Sequence, residues 1–136
     1  MKVTVSHIKG IHFEGEGSSK LRTQMDQNIT SGGSGYGSSP MELILMALGG
    51  CTGMDVVLIL EKMKVTFDRM EIIIVGERNS GTPLVFTDIE LIYKFWGENL
   101  PEKKIQRAIQ LSMEKYSSVA NMLDKAVNIT YRLDLS

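Results

Sequence analysis

Residues 39–64, SPMELILMALGGCTGMDVVLILEKMK, decide how the rest of the chain must fold. Ser39, Pro40 and Glu42 carry helix-start chemistry: an N-cap hydroxyl, a proline at the first helical position and the acidic end of an S-x-x-E capping box. From Met41 to Leu60 nearly every position is apolar or glycine, so no polar face remains. A helix of that kind is expected to be buried, with the domain wrapped around it. Charge returns only at Glu61, Lys62 and Lys64. The stretch is short for a membrane span, which takes about 20 apolar residues, and Asp55 lies inside it. A core helix is therefore expected, and no membrane partner. Cys51, the only cysteine in the chain, sits in the middle.

Working outward, residues 1–30 read as an antiparallel meander. Positions 2–8 are rich in β-formers, Lys9-Gly10 turns the chain, Ile11 and Phe13 alternate with His12 and Glu14, and Leu21, Thr23 and Met25 share a face. His7 and His12 on these strands are given no ligand role. Residues 31–39, SGGSGYGSS, read as a Gly/Ser loop, mobile at the mouth of a site. The loop lacks both the Lys-Ser or Lys-Thr and the G-x-G-x-x-G order of a phosphate cradle. Beyond the helix, residues 68–97 form a hairpin whose second strand puts Val85, Thr87, Ile89, Leu91, Tyr93 and Phe95 on one face. Residues 100–125 hold two helices. Asn99 and Glu102 bracket Pro101 in a second capping pattern, and Ile105, Ile109, Met113 and Tyr116 recur at helical spacing until Ser117-Ser118 interrupts. Residues 127–135 alternate as a half-buried antiparallel strand. The order gives one α+β domain over residues 1–136.

Fifteen basic and sixteen acidic residues leave a net charge of −1, with no sustained like-charge run. That gives no footprint for nucleic acid. The opening MKVTVSHIKG has no apolar signal segment, and one cysteine cannot form an internal disulfide. Both fit a reducing cytoplasm. Two histidines far from a lone cysteine match no zinc spacing, so neither metal nor cofactor is expected.

Two segments resemble the OsmC/Ohr family of stress-response hydroperoxide reductases. They are S-P-x-E-L leading into C-T-G-M-D-V-V-x-I-L, and K-Y-S-S-V-A-N-M-L leading into the alternating terminal strand. The resemblance implies an intertwined α+β homodimer with antiparallel sheets around a long buried central helix. The central helices of the two copies would pack together, with Gly49, Gly50 and Gly53 permitting close approach there or inside one chain. It also implies a peroxidatic cysteine at position 51 and a second, resolving cysteine at the position of Ser117. A serine forms no disulfide, so the two-cysteine cycle gives way to an external thiol reductant. The reductases also place an arginine ahead of the helix and a glutamate just after its proline. Here Arg22 is the nearest cation and Met41 holds the glutamate position, with Glu42 next to it.

Glu42 precedes Cys51 by nine residues, about 900° of rotation at roughly 100° each, so it points to the other side of the helix. It serves as a cap or reaches a partner's site. Asp55 lies one turn beyond Cys51 on nearly the same face. A bare carboxylate there disfavours a thiolate. Asp55 therefore either positions a cation or takes a structural hydrogen bond. Tyr36, Phe95 and Trp96 supply aromatic surface for an organic hydroperoxide, or core. Two functions follow: thiol-dependent reduction of organic hydroperoxides through Cys51, or a non-catalytic dimer that binds a small apolar ligand with Cys51 as packing.

Overall fold

A computed structural model describes residues 1–135. Contacts divide the chain into Met1–Ile44 and a second unit from Leu45 onward. The first unit is the expected meander: β1 (Thr4–Lys9), β2 (His12–Glu16) and β3 (Arg22–Met25), antiparallel in that order. Gly10 takes the left-handed conformation (φ 59°) that the β1–β2 turn needs, at no steric cost for a residue without Cβ. Val5, Ile8, Ile11 and Phe13 of this sheet are exposed in the isolated chain.

The Gly/Ser loop is not the loose linker that its composition predicts. The buried carboxylate of Asp26 accepts backbone N–H bonds from Gln27 (2.7 Å), Ser34 (3.2 Å) and Tyr36 (3.1 Å). Gly33 and Gly37 lie so close to the backbone of Gln27 and Gln24 that a Cβ at either would collide with main-chain atoms. Glycine here permits close packing, and the composition alone does not distinguish that from flexibility. Burial pushes the Asp26 carboxyl up, but the amide bonds from Gln27, Tyr36 and Ser34, with the His12 charge, outweigh it and hold the pKa below the ordinary value. A lowered folded-state pKa gives stability that is complete above the unfolded value and lost as pH falls through the folded one. Amide-exchange protection at Ser34 and Tyr36 should therefore hold from neutral pH down to about pH 4 and vanish below it. In Asp26→Asn it should be weak at every pH. Protection that persists unchanged in strong acid would refute this account of the loop.

The long helix α1 (Pro40–Lys62) opens on the capping box read from the sequence: Glu42 N donates to Ser39 Oγ (3.2 Å) and Ser39 N to Glu42 Oε1 (3.1 Å). Its burial differs from the expectation. Leu48, Thr52, Val56 and Leu60, at a spacing of four, are fully buried, whereas Met46, Met54 and Leu58 stand exposed. A helix apolar on nearly every side has little phase in its sequence, so the pattern does not tell which face the chain itself covers. Gly49 and Gly53 let α1 lie flat on Ile74 and Ile72 of the sheet; Gly50 faces open space.

That sheet comprises β4 (Arg69–Arg78), β5 (Phe86–Trp96) and β6 (Asn128–Asp134), with β5 in the centre. β4 and β5 pair antiparallel, setting Met70, Ile72, Ile74 and Gly76 beside Phe95, Tyr93, Leu91 and Ile89 on the α1 face. A register shift skips Thr87, which turns Phe86 inward and leaves Thr87 and Val85 outside the expected stripe. β6 runs parallel to β5, contrary to the antiparallel strand expected. The helical crossover brings the chain back to start β6 beside the start of β5, Asn128 opposite Asp88, and so fixes the direction. Alternation reports the half-buried face, not the direction of pairing.

The crossover holds α2 (Glu102–Leu111), a π-turn over Ser112–Tyr116 and α3 (Ser118–Leu123). The expected Asn99 cap is absent: Pro101 occupies the N-cap with no side-chain bond, and Asn99 adopts a left-handed turn (φ 51°). Ile105, Ala108, Ile109 and Met113 are buried, but the wide π-turn swings Tyr116 off the stripe and into solvent.

Candidate functional site

Cys51 is half-buried in the middle of α1. Ser117, fully buried, donates a hydrogen bond from Oγ to Cys51 Sγ at 3.3 Å. The serine has this position because the π-turn ends there. Its N–H bonds Ser112 O (2.7 Å), its backbone opens to an extended conformation, and its Oγ caps α3 by accepting from Ala120 N (3.2 Å). The Oγ proton is left for the sulfur. A hydroxyl in that place donates to the sulfur while offering no sulfur for a disulfide.

One residue further, Thr52 anchors a buried chain of hydroxyls. Tyr93 Oη lies 2.7 Å from Thr52 Oγ1, which lies 2.7 Å from Ser112 Oγ. Ser112 Oγ also reaches Thr52 O (3.2 Å) and Asp55 Oδ2 (3.2 Å). Burial pushes the Tyr93 phenol up to about 12, partly offset by the Thr52 bond, so it remains a donor. A carboxylate only accepts, which orders the chain as Tyr93 to Thr52 to Ser112 to Asp55. Asp55 thus takes the structural hydrogen bond of the two roles open to it in the sequence.

The remaining sequence candidates are placed as follows. Glu42 is exposed and occupied by the capping box. Arg22, on β3, pairs with Glu14 (3.4 Å) and Glu16 (4.0 Å) of β2. Tyr36 stacks on His12, which bonds Gln24 (2.6 Å). Phe95 is buried edge-on against Phe67, whereas Trp96 lies under the guanidinium of Arg69. Phe95 and Trp96 face different surroundings, as neighbours along a strand must, and do not line one pocket. Among the described residues no cluster of three His, Cys, Asp or Glu side chains is placed to hold a metal ion. A groove of about 810 Å³ runs along α1 and β4, floored by Gly49, Gly50 and Gly53 and walled by Met46, Met54 and Ile72; Cys51 is not in its lining.

Sequence reasoning passed over Thr52, Ser112 and Tyr93. A signal existed for Ser112: it falls seven residues after Ile105 and three after Ile109, a hydroxyl on the buried stripe of an amphipathic helix. Such a group needs a partner, and Thr52 is that partner.

The family model described as OsmC-like protein matches residues 32–132. Protein YhfA of Escherichia coli is 42% identical over 135 residues, spanning 99% of this chain and 98% of YhfA. The crystal structure of a hypothetical protein from Aquifex aeolicus superimposes with a TM-score of 0.83 at 27% identity, covering 99% of this chain and 96% of the other. The organic hydroperoxide resistance protein OhrB of Bacillus subtilis gives 0.68 at 15% identity, with 98% and 96% covered. At that identity the likeness speaks for the fold.

Proposed function

The chain belongs to the OsmC-like protein family, and from that premise we propose that it serves in peroxide stress, reducing organic hydroperoxides at Cys51 with an external thiol as reductant. The observation that carries this reading is the 3.3 Å bond from Ser117 to Cys51 Sγ. The residue at the resolving position lies against the sulfur, although it is not itself a thiol.

The Cys51 thiolate attacks the outer oxygen of the hydroperoxide. An S–O bond forms as the O–O bond breaks, and the alkoxide takes a proton and leaves as the alcohol, so sulfur is oxidised by two electrons to a sulfenic acid. A small thiol condenses with it, forming an S–S bond and releasing water. A second displaces Cys51, which returns as a thiol while the two small thiols leave as their disulfide. Ser117 donates to the sulfur in its thiolate form, before the attack. Glu42 acts as a cap, Asp55 acts through Ser112, and Arg22 is taken up by its pairs with Glu14 and Glu16. The apolar face of α1 seats a second copy, and the protein works as a cytoplasmic homodimer.

The groove beside α1 favours one other reading, a dimer that binds a small apolar ligand and leaves Cys51 inert. Trapping separates the two. One equivalent of cumene hydroperoxide in the presence of dimedone should consume the Cys51 thiol and leave the dimedone adduct on that residue. A thiol still titratable after the hydroperoxide is added in excess would sink the peroxidase reading.

A further inference from the structure

We propose that the Thr52–Ser112 bridge, backed by Tyr93, is a clamp that sets the separation between residue 51 and residue 117. Four links close a ring. The peptide bond joins Cys51 to Thr52. The Thr52 hydroxyl holds the Ser112 hydroxyl at 2.7 Å, with the Thr52 carbonyl 3.2 Å from the same oxygen. Ser112 O holds Ser117 N at 2.7 Å across the π-turn. Ser117 Oγ returns to Cys51 Sγ at 3.3 Å.

No link in the ring is longer than one bond or hydrogen bond, so residue 117 is referenced to α1 through Ser112 and not through the length of α2. A π-turn is the weak place in such a helix, since its wide ring gives poorer packing than the α-form and is usually kept where a site needs it. The bridge ties that weak place to the residue next to the sulfur. Thr52, Ser112 and Tyr93 are all fully buried, so water cannot replace a lost partner. Tyr93 fixes the Thr52 hydroxyl from the sheet, which makes the reference frame β5, the central strand. These three are positioning residues. Their use in catalysis rests on the redox reading of Cys51, but their geometry does not.

The test therefore uses no hydroperoxide. A chain carrying Ser117→Cys is equilibrated without oxygen in mixtures of reduced and oxidised glutathione. The thiols at positions 51 and 117 join and give two electrons and two protons to one oxidised glutathione, which leaves as two reduced molecules. Alkylation and mass spectrometry read the closed fraction.

The closed form should dominate in Ser117→Cys. Adding Ser112→Ala or Thr52→Val should lower the closure constant roughly tenfold, the loss expected for a buried hydrogen bond left unmade. Thr52→Ser, which keeps the hydroxyl, should stay within about twofold of the parent, and Tyr93→Phe should fall between. Ile109→Val, a core change off the ring, should leave the constant unmoved. If Ser112→Ala fails to fold, Thr52→Val decides. A closure constant unchanged in Thr52→Val, a Thr52→Ser as weak as Thr52→Val, an equal fall in Ile109→Val, or no closure in Ser117→Cys alone would each overturn the clamp. A chain inert toward every hydroperoxide would still give this answer.

Discussion

Cys51→Ser should reduce the consumption of cumene hydroperoxide under dithiothreitol by about three orders of magnitude or more, to the rate of the reductant alone. No other thiol exists in the chain to take over. A serine hydroxyl is not ionised near neutral pH, and its oxygen is a poor nucleophile toward a peroxide bond. The companion variant, Ser117→Cys, changes the second half of the cycle instead. Its sulfur would start from a position where Oγ is 3.3 Å from Sγ, so a move of about 1 Å reaches the S–S bond length. Stopped-flow traces should then show dithiols outpacing equimolar monothiols in Ser117→Cys. In the unsubstituted chain both classes open the sulfenic acid by the same first step and a dithiol gains only in displacing Cys51 from the mixed disulfide, so its lead over monothiols should be smaller than in Ser117→Cys. Silence in both chains would leave the ligand-binding dimer.

The helix cap, the meander and the order of elements were legible because each rests on local chemistry. Ser39 and Glu42 satisfy one another within a single turn, and Gly10 serves one turn of one hairpin. What escaped the sequence depends on partners distant along the chain. The parallel course of β6 is decided by the crossover that precedes it, not by the alternation of Ile129, Tyr131 and Leu133. The skipped Thr87 belongs to the pairing of β4 with β5, which no strand pattern records. Cys51 and Ser117 were singled out as site candidates by likeness to a family. The hydroxyl chain that supports them joins residues 41 and 60 positions apart. Only the buried hydroxyl of Ser112, out of place on an apolar stripe, marked it in advance. The Asp26 knot was hidden for the opposite reason: a glycine-rich loop reads the same whether its glycines give freedom or close packing.

The face of α1 that the chain does not cover leads to the second large effect. Met54 and Leu58 are 71% and 57% exposed, on a helix that is apolar at most positions between Met41 and Leu60. Covering each such side chain contributes roughly 1.5–3 kcal/mol. A second copy seated there, as proposed above, would recover that energy. Met54→Glu with Leu58→Glu should therefore convert a dimer to a monomer in sedimentation velocity. Two unpaired carboxylates at a dry interface cost at least about 2 kcal/mol each beyond the lost burial. Together these exceed about 4 kcal/mol, a weakening of a thousandfold or more in Kd. Both positions point to solvent in the single chain, and glutamate is as good a helix former as leucine or methionine. The monomer should accordingly keep its helix content, and the Cys51–Ser117 bond within it should survive. Hydroperoxide turnover should fall along with the dimer if a second copy completes the pocket around Cys51. An unsubstituted chain that sediments as a monomer would remove the second copy from this face. A double variant that stays dimeric would place the interface elsewhere. A dissociated variant that retains full turnover would show that one chain holds the whole site.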